Sequence, residues 1–192
     1  MPTSLRVITE ARACTHCERH LPLGPRPLLA GSRESRVLII GQAPGKAAHE
    51  SGIPWHDRSG DRLREWLGVS NEQFYDDRLI ALMPMGFCYP GKASSGDAPP
   101  RPECAPMWHD KLLPKLASVG LTVYIGHYAF DRYLSGDCGT ITEAVAAAPT
   151  LLPARIALPH PSPRNNIWLK KNDWFGRDVL PALRARVQAL MA

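Results

Sequence analysis

No run of about 18 apolar residues occurs in the 192-residue chain, so a membrane-spanning helix is not expected. Residues 1–10 lack the apolar centre of a signal peptide, which makes a cytoplasmic protein the expectation. Five cysteines in such a compartment do not read as a disulfide framework. No lysine-rich tail carries the net charge of +5, so the excess belongs to a folded basic surface, and a basic surface suits a polyanionic partner. A complete phosphate loop is also missing. Gly41-Gln-Ala-Pro-Gly45-Lys46 has one residue too few between its glycines, and Ala47 follows where Ser or Thr would reach a magnesium ion. A nucleotide hydrolase is therefore the weaker reading of this loop.

What the chain does have is a series of short apolar runs that end at glycine or proline. Residues 36–40, 79–83, 121–125 and 155–158 each read as a buried strand, with β-branched or aromatic residues and an abrupt stop. Between them the spacing predicts helices from Ser59 as N-cap to Gly68, over 71–75, over 102–117, over 127–134, over 140–148 and over 172–190, and a short one near 7–14. Alternating strands and helices imply a parallel sheet covered on both faces, and the length fits one domain over 1–192 with an irregular leading segment over 1–35. Residues 46–58 and 84–102 read as loops. The 19 prolines cluster in 21–27, 84–106 and 159–163 and shape those loops rather than mark a disordered linker.

Two strand ends carry the unusual sequences. After 36–40 comes Gly41-Gln42-Ala43-Pro44-Gly45, whose glycines let bare backbone approach a ligand. After 155–158 comes Pro159-His160-Pro161-Ser162-Pro163-Arg164, where flanking prolines stiffen the loop around one imidazole. A neutral histidine held in that way can donate to an oxygen that gains negative charge. Ligands bind at the carboxyl ends of parallel strands, so if these two strands are neighbours both loops open onto one cleft.

Together these stretches resemble the uracil-DNA glycosylase superfamily, most closely its iron–sulfur families four and five. Gly52-Ile-Pro-Trp55-His-Asp57-Arg-Ser-Gly60 is similar to that family's Gly-Arg-Pro-Phe stretch and following helix, and the resemblance extends from Cys14 to Arg164. It implies a three-layer α/β/α sandwich with a central four-stranded parallel sheet. It also implies a monomeric enzyme whose partner is DNA containing a damaged base, which is flipped out and cut from its sugar. By the same resemblance Trp55 stacks on the base, Gly41, Gln42 and Ala43 contact its edge, and His160 stabilises the leaving base. Ser162, Pro163 and Arg164 press on the DNA backbone. Cys14, Cys17, Cys88 and Cys104 match the family's ligands for a [4Fe–4S] cluster; zinc, or free buried thiols, are the alternatives. Cys138 fits no such set.

Two departures qualify the resemblance. Gln42 stands where an acid is often found, and an amide cannot serve as a general base. Asp57 and Glu50 are the candidates to replace it. Pro84 stands where the family has its uracil-reading asparagine, and proline makes no paired amide contact to a pyrimidine. A lesion-binding protein without turnover is the second reading.

Overall fold

The computed structural model describes residues 6–192. That part of the irregular leading segment expected at 1–5 lies outside the described residues. From there the chain runs α1 (Arg6–Arg12), β1 (Val37–Ile40), α2 (Lys46–Ser51), α3 (Arg58–Leu67), α4 (Asn71–Tyr75), β2 (Ile80–Leu82), β3 (Lys92–Ala93) and β4 (Gly96–Asp97). It continues through α5 (Cys104–Leu112), β5 (Leu121–Ile125), α6 (Gly126–Tyr133), α7 (Ile141–Ala146), α8 (Ala148–Leu151), β6 (Arg155–Leu158), α9 (Asn166–Lys171) and α10 (Leu180–Met191).

Four strands form one sheet in the order β2-β1-β5-β6, all parallel. Val37 stands opposite Ile80 on one side and Leu121 on the other, so β1 lies in the interior of the sheet. All four β1 side chains are buried although successive residues point to opposite faces. Both faces are therefore covered, and helices flank the sheet in a three-layer α/β/α sandwich. The same reasoning explains the unbroken apolar runs: a strand buried on two sides has no polar face to alternate with.

Because the strands are parallel, all four carboxyl ends share one edge. β1 and β6 are not neighbours, since β5 lies between them. Their loops still meet, because the turn from β5 into α6 fills the gap: Gly126, at φ 77°, is where a Cβ would lie 3.6 Å from the His160 Cβ.

Local capping sets several boundaries. Asp57, not Ser59, is the N-cap of α3; its Oδ1 accepts from the Gly60 N–H at 2.8 Å. Leu63, Trp66 and Leu67 form the buried stripe of α3, and Trp66 meets Phe175 edge-on at 4.9 Å. At the other end of α3, Arg184 and Gln188 of α10 donate to the carbonyls of Glu65 and Gly68, closing the orphaned last turn. The expected helix over 172–190 is divided: a π-helical turn, Phe175–Val179, precedes α10. Among the described residues no helix is long and apolar enough to cross a membrane.

One buried polar group anchors the loop after β2. His109 of α5 is fully buried. The Pro84 carbonyl, 3.0 Å away, can only accept, so Nε2 carries the proton; Nδ1 then accepts from the Tyr133 hydroxyl at 2.6 Å. Burial pushes the His109 imidazole down to about 4, with the Pro84 bond and Asp110 opposing and Arg132 reinforcing. The native state thus keeps His109 neutral, while the unfolded chain takes up a proton below the ordinary value of 6.5. Its share of stability is intact above pH 6.5 and is lost as pH falls from there toward 4. His109→Gln, which can keep both hydrogen bonds but does not titrate, is expected to flatten this part of the profile. Thermal melts between pH 7 and 4 test this, and an unchanged slope in the variant would refute it.

Candidate active site

A cavity of about 470 Å³ opens at the carboxyl edge of the sheet. Five segments build it: Gln42–Gly45 after β1, Pro54–Asp57 before α3, Ser95–Asp97 at the β3–β4 hairpin, His127 and Tyr128 at the start of α6, and His160–Asn165 after β6. Pro84 also lines it, with Leu28, Ala48, Ser59 and Leu82. The pairing of β1 with β2 extends into the loops and holds this wall together. Met83 N–H donates to the Ile39 carbonyl, Met85 N–H to Gly41 and Gly86 N–H to Gln42, at 3.0, 2.8 and 2.9 Å.

Trp55 adopts φ 58°, a left-handed conformation unusual for a side chain of its size. Two glycines permit it. Gly41 leaves room for the indole, since a Cβ there would come within 2.7 Å of Trp55 Cζ2. Gly60 leaves room for the backbone, since a Cβ there would overlap the Trp55 carbonyl oxygen. The indole lies 5.9 Å from the His160 ring, tilted by 30°.

His160 is fixed within its own loop. The Ser162 N–H donates to Nδ1 at 3.2 Å, and the Asn165 side chain donates to the His160 carbonyl at 2.7 Å. With Nδ1 accepting, a neutral ring carries its proton on Nε2. Burial lowers the pKa of His160 below the usual histidine value; Asp57 opposes this and His127 adds to it. The ring is therefore a neutral donor at physiological pH.

The other expected residues sort by position. Gln42, Ala43, Trp55, Asp57, His160, Ser162 and Arg164 line the cavity. Gly41 is not part of the lining but backs the Trp55 ring. Pro163 is exposed and off the lining. Glu50 is turned away and pairs with Lys46 at 3.4 Å along α2. That pairing also removes support from the phosphate-loop reading, in which Lys46 would face a nucleotide. Arg164 donates to the Ser95 carbonyl at 3.2 Å and so ties the His160 loop to the hairpin. Asp97, His127 and Tyr128 also line the cavity and were not singled out in the sequence. Burial raises the Asp97 carboxyl, Arg164 opposes this and Asp57 adds to it.

The expected metal site requires correction. Cys14, Cys17, Cys88 and Cys104 line a common pocket, but its free space is about 20 Å³, room for about one water and not for a [4Fe–4S] cluster. Leu21, Pro27, Gly86, Phe87, Arg101 and Trp108 form its remaining walls. Among the described residues no group of three or more His, Cys, Asp or Glu side chains is disposed to hold a metal ion, which removes the zinc alternative as well. Burial pushes the Cys88 thiol up to about 11 and Cys104 up to about 12, and raises Cys17, so these thiols are protonated. These are free thiols that pack the N-terminal segment against the loop after β2, with Cys104 Sγ accepting from the Phe87 N–H at 3.3 Å.

The family model "Uracil DNA glycosylase superfamily" matches residues 30–184. Among curated proteins, the Type-4 uracil-DNA glycosylase of Thermotoga maritima is 26% identical over 84 residues. That match spans 42% of this chain and 44% of the relative, less than half of either.

Proposed function

The chain belongs to the uracil DNA glycosylase superfamily, and from that premise we propose that it is a monofunctional DNA glycosylase, a single-domain monomer that removes a damaged base in excision repair. The observation that carries this reading is the neutral, Nε2-protonated His160 held 5.9 Å from the Trp55 ring across the cavity. An extruded base stacked on Trp55 brings a carbonyl oxygen toward that N–H. As the N-glycosidic bond breaks, the electron pair moves onto the base, and the donor meets charge that is absent from the ground state. A base inside the duplex cannot reach the cavity, so it must be flipped out first.

Two features set what is removed. Pro84 offers no amide to the pyrimidine edge, and its carbonyl is turned to His109, away from any ligand. The site therefore lacks the side-chain contact that restricts a pocket to uracil, and the substrate is a deaminated or oxidised base of a broader set. Gln42 supplies no proton acceptor, and the reaction is dissociative, led by departure of the base. Arg62, which holds the His160 loop through Asn166 at 2.9 Å, and Arg164 give the mouth positive charge for the DNA backbone.

The test is a panel of oligonucleotides, each carrying one lesion (uracil, hypoxanthine, xanthine or 5-hydroxymethyluracil), incubated with the protein and cleaved with alkali at abasic sites. Strand cleavage at one or more lesions, with free base recovered, is the expected result. A folded protein that releases none of them overturns the reading. Gln42 and Pro84 favour one alternative, a lesion-binding protein without turnover; its mark is tight, salt-sensitive binding to the same oligonucleotides with no release.

A further inference from the structure

The glycosylase reading leaves one role unfilled. The sugar gains positive charge as the base departs, and the attacking water must lose a proton. Gln42 can do neither and Glu50 pairs with Lys46, while Asp57 caps α3 through Oδ1 and has only Oδ2 left for the cavity. The cavity holds a second carboxylate.

Asp97 sits at the end of β4, on a hairpin that reaches over the cavity mouth. Its Oδ2 lies 3.4 Å from the point where a Cβ on Gly45 would stand, and Asp57 Oδ2 lies 3.7 Å from the same point. The two carboxylates thus converge on Gly45, which has no side chain to stand between them. Neither Asp97 oxygen makes a hydrogen bond or ion pair among the described residues, so both are open to a ligand. The hairpin is held to the His160 loop: Arg164 reaches the Ser95 carbonyl, and Gly96, at φ 91°, has no Cβ to displace the guanidinium that lies against it. Asp97 is exposed at the mouth, while His160 is half-buried farther in. A nucleotide that enters base first places its base beside Trp55 and His160 and its sugar at the level of Asp97.

We propose that Asp97 is a catalytic carboxylate of this site, facing the anomeric carbon of the extruded nucleotide. The inference rests on the glycosylase reading for its reaction. The C1′–N bond breaks with its electron pair going to the base, whose oxygen takes the hydrogen bond from His160 Nε2–H. The Asp97 carboxylate offsets the charge on the sugar. Water oxygen then bonds to C1′, its proton passes to Asp97, and Asp97 returns it to solvent at the open mouth. Partial burial and the neighbouring Asp57 raise the proton affinity of Asp97, which suits an acceptor, and Arg164 keeps that rise in check.

The experiment pairs a binding measurement with a rate. Two oligonucleotides carry, at the lesion position, either a cationic pyrrolidine in place of the sugar or a neutral tetrahydrofuran abasic site. The wild type is expected to prefer the cationic one, and Asp97→Asn to lose that preference by about 10-fold or more, with single-turnover base release falling about 100-fold or more on any lesion that the wild type cleaves. Asp97 is on an exposed hairpin, so an unchanged melting temperature verifies that the variant is folded. If the wild type cleaves and Asp97→Asn matches it in both rate and cation preference, the role of Asp97 is overturned and the glycosylase reading stands. If the wild type cleaves nothing yet prefers the cation in an Asp97-dependent way, the turnover reading fails and the placement of Asp97 against the sugar holds. A wild type with no preference for the cation overturns the role of Asp97 whatever its turnover.

Discussion

His160→Ala is expected to lower single-turnover base release by about 100- to 1,000-fold while changing DNA affinity only about threefold or less, the range seen when one donor to a developing anion is removed. The asymmetry follows from when the partner charge exists. In the bound substrate the base oxygen is a neutral acceptor that water can satisfy; in the transition state it carries much of the electron pair from the broken bond. A donor fixed in place before that moment needs no reorganisation. Here the fixing is explicit: the Ser162 N–H holds Nδ1, and Asn165 holds the His160 carbonyl. Equal losses in rate and affinity would instead make His160 a binding residue.

The same geometry gives the pH dependence its sign. Protonation of His160 places a hydrogen on Nδ1, where the Ser162 N–H already points, so the imidazolium must break the bond that orients it. Burial lowers the pKa, and the active neutral form therefore persists on the acid side of the ordinary value of 6.5. The part of the acid limb due to this group lies below pH 6.5.

The sheet was legible because strands buried on both faces leave a plain mark, a continuous apolar run. Expected runs at 36–40, 79–83, 121–125 and 155–158 correspond to Val37–Ile40, Ile80–Leu82, Leu121–Ile125 and Arg155–Leu158. The stretch 46–58 read as loop, yet Lys46–Ser51 is helical. Its six residues are too few to show a period, and its last turn is held by a distant residue, Arg26, whose guanidinium donates to the His49 and Glu50 carbonyls. The β3–β4 hairpin escaped for a related reason. Its strands have two residues each, mostly exposed, and carry no alternation to detect.

The site divides along the same line. Gln42 and His160 follow strand ends, where chain topology alone carries them to one edge. Asp97 arrives on a hairpin that Arg164 ties down, and nothing local to residues 92–97 announces where they go. Arg164, expected from the resemblance to press on DNA, joins two walls of the cavity through its bond to the Ser95 carbonyl. The cysteines teach the opposite lesson. The family resemblance implies a cluster at these four cysteines, but a shared pattern fixes only which side chains can meet. It does not fix how much room is left among them, and Leu21, Phe87 and Trp108 leave very little.

Gly60→Ala is expected to destabilise the protein by about 3 kcal/mol or more, a fall in melting temperature of about 6–12 °C for a chain of this size. The sign is opposite to the usual one, because alanine ordinarily improves a helix by about 0.5–1 kcal/mol over glycine. Gly60 lies in the first turn of α3, directly beneath the Trp55 carbonyl, and any Cβ would overlap that oxygen. The obstruction is backbone, which cannot rotate aside as a side chain can. Relief requires moving the turn that holds Trp55 at φ 58°, and that turn also contains Asp57, whose Oδ1 caps the helix through the Gly60 N–H. The substitution thus acts on the helix cap, the stacking platform and one of the two cavity carboxylates together, so lesion binding should fall along with stability. Gly136→Ala is the control: a Cβ there meets nothing within 4 Å, and its melt should match the wild type. If Gly60→Ala also melts with the wild type, the Trp55 turn does not lie over α3, and the stacking geometry that depends on it is lost as well.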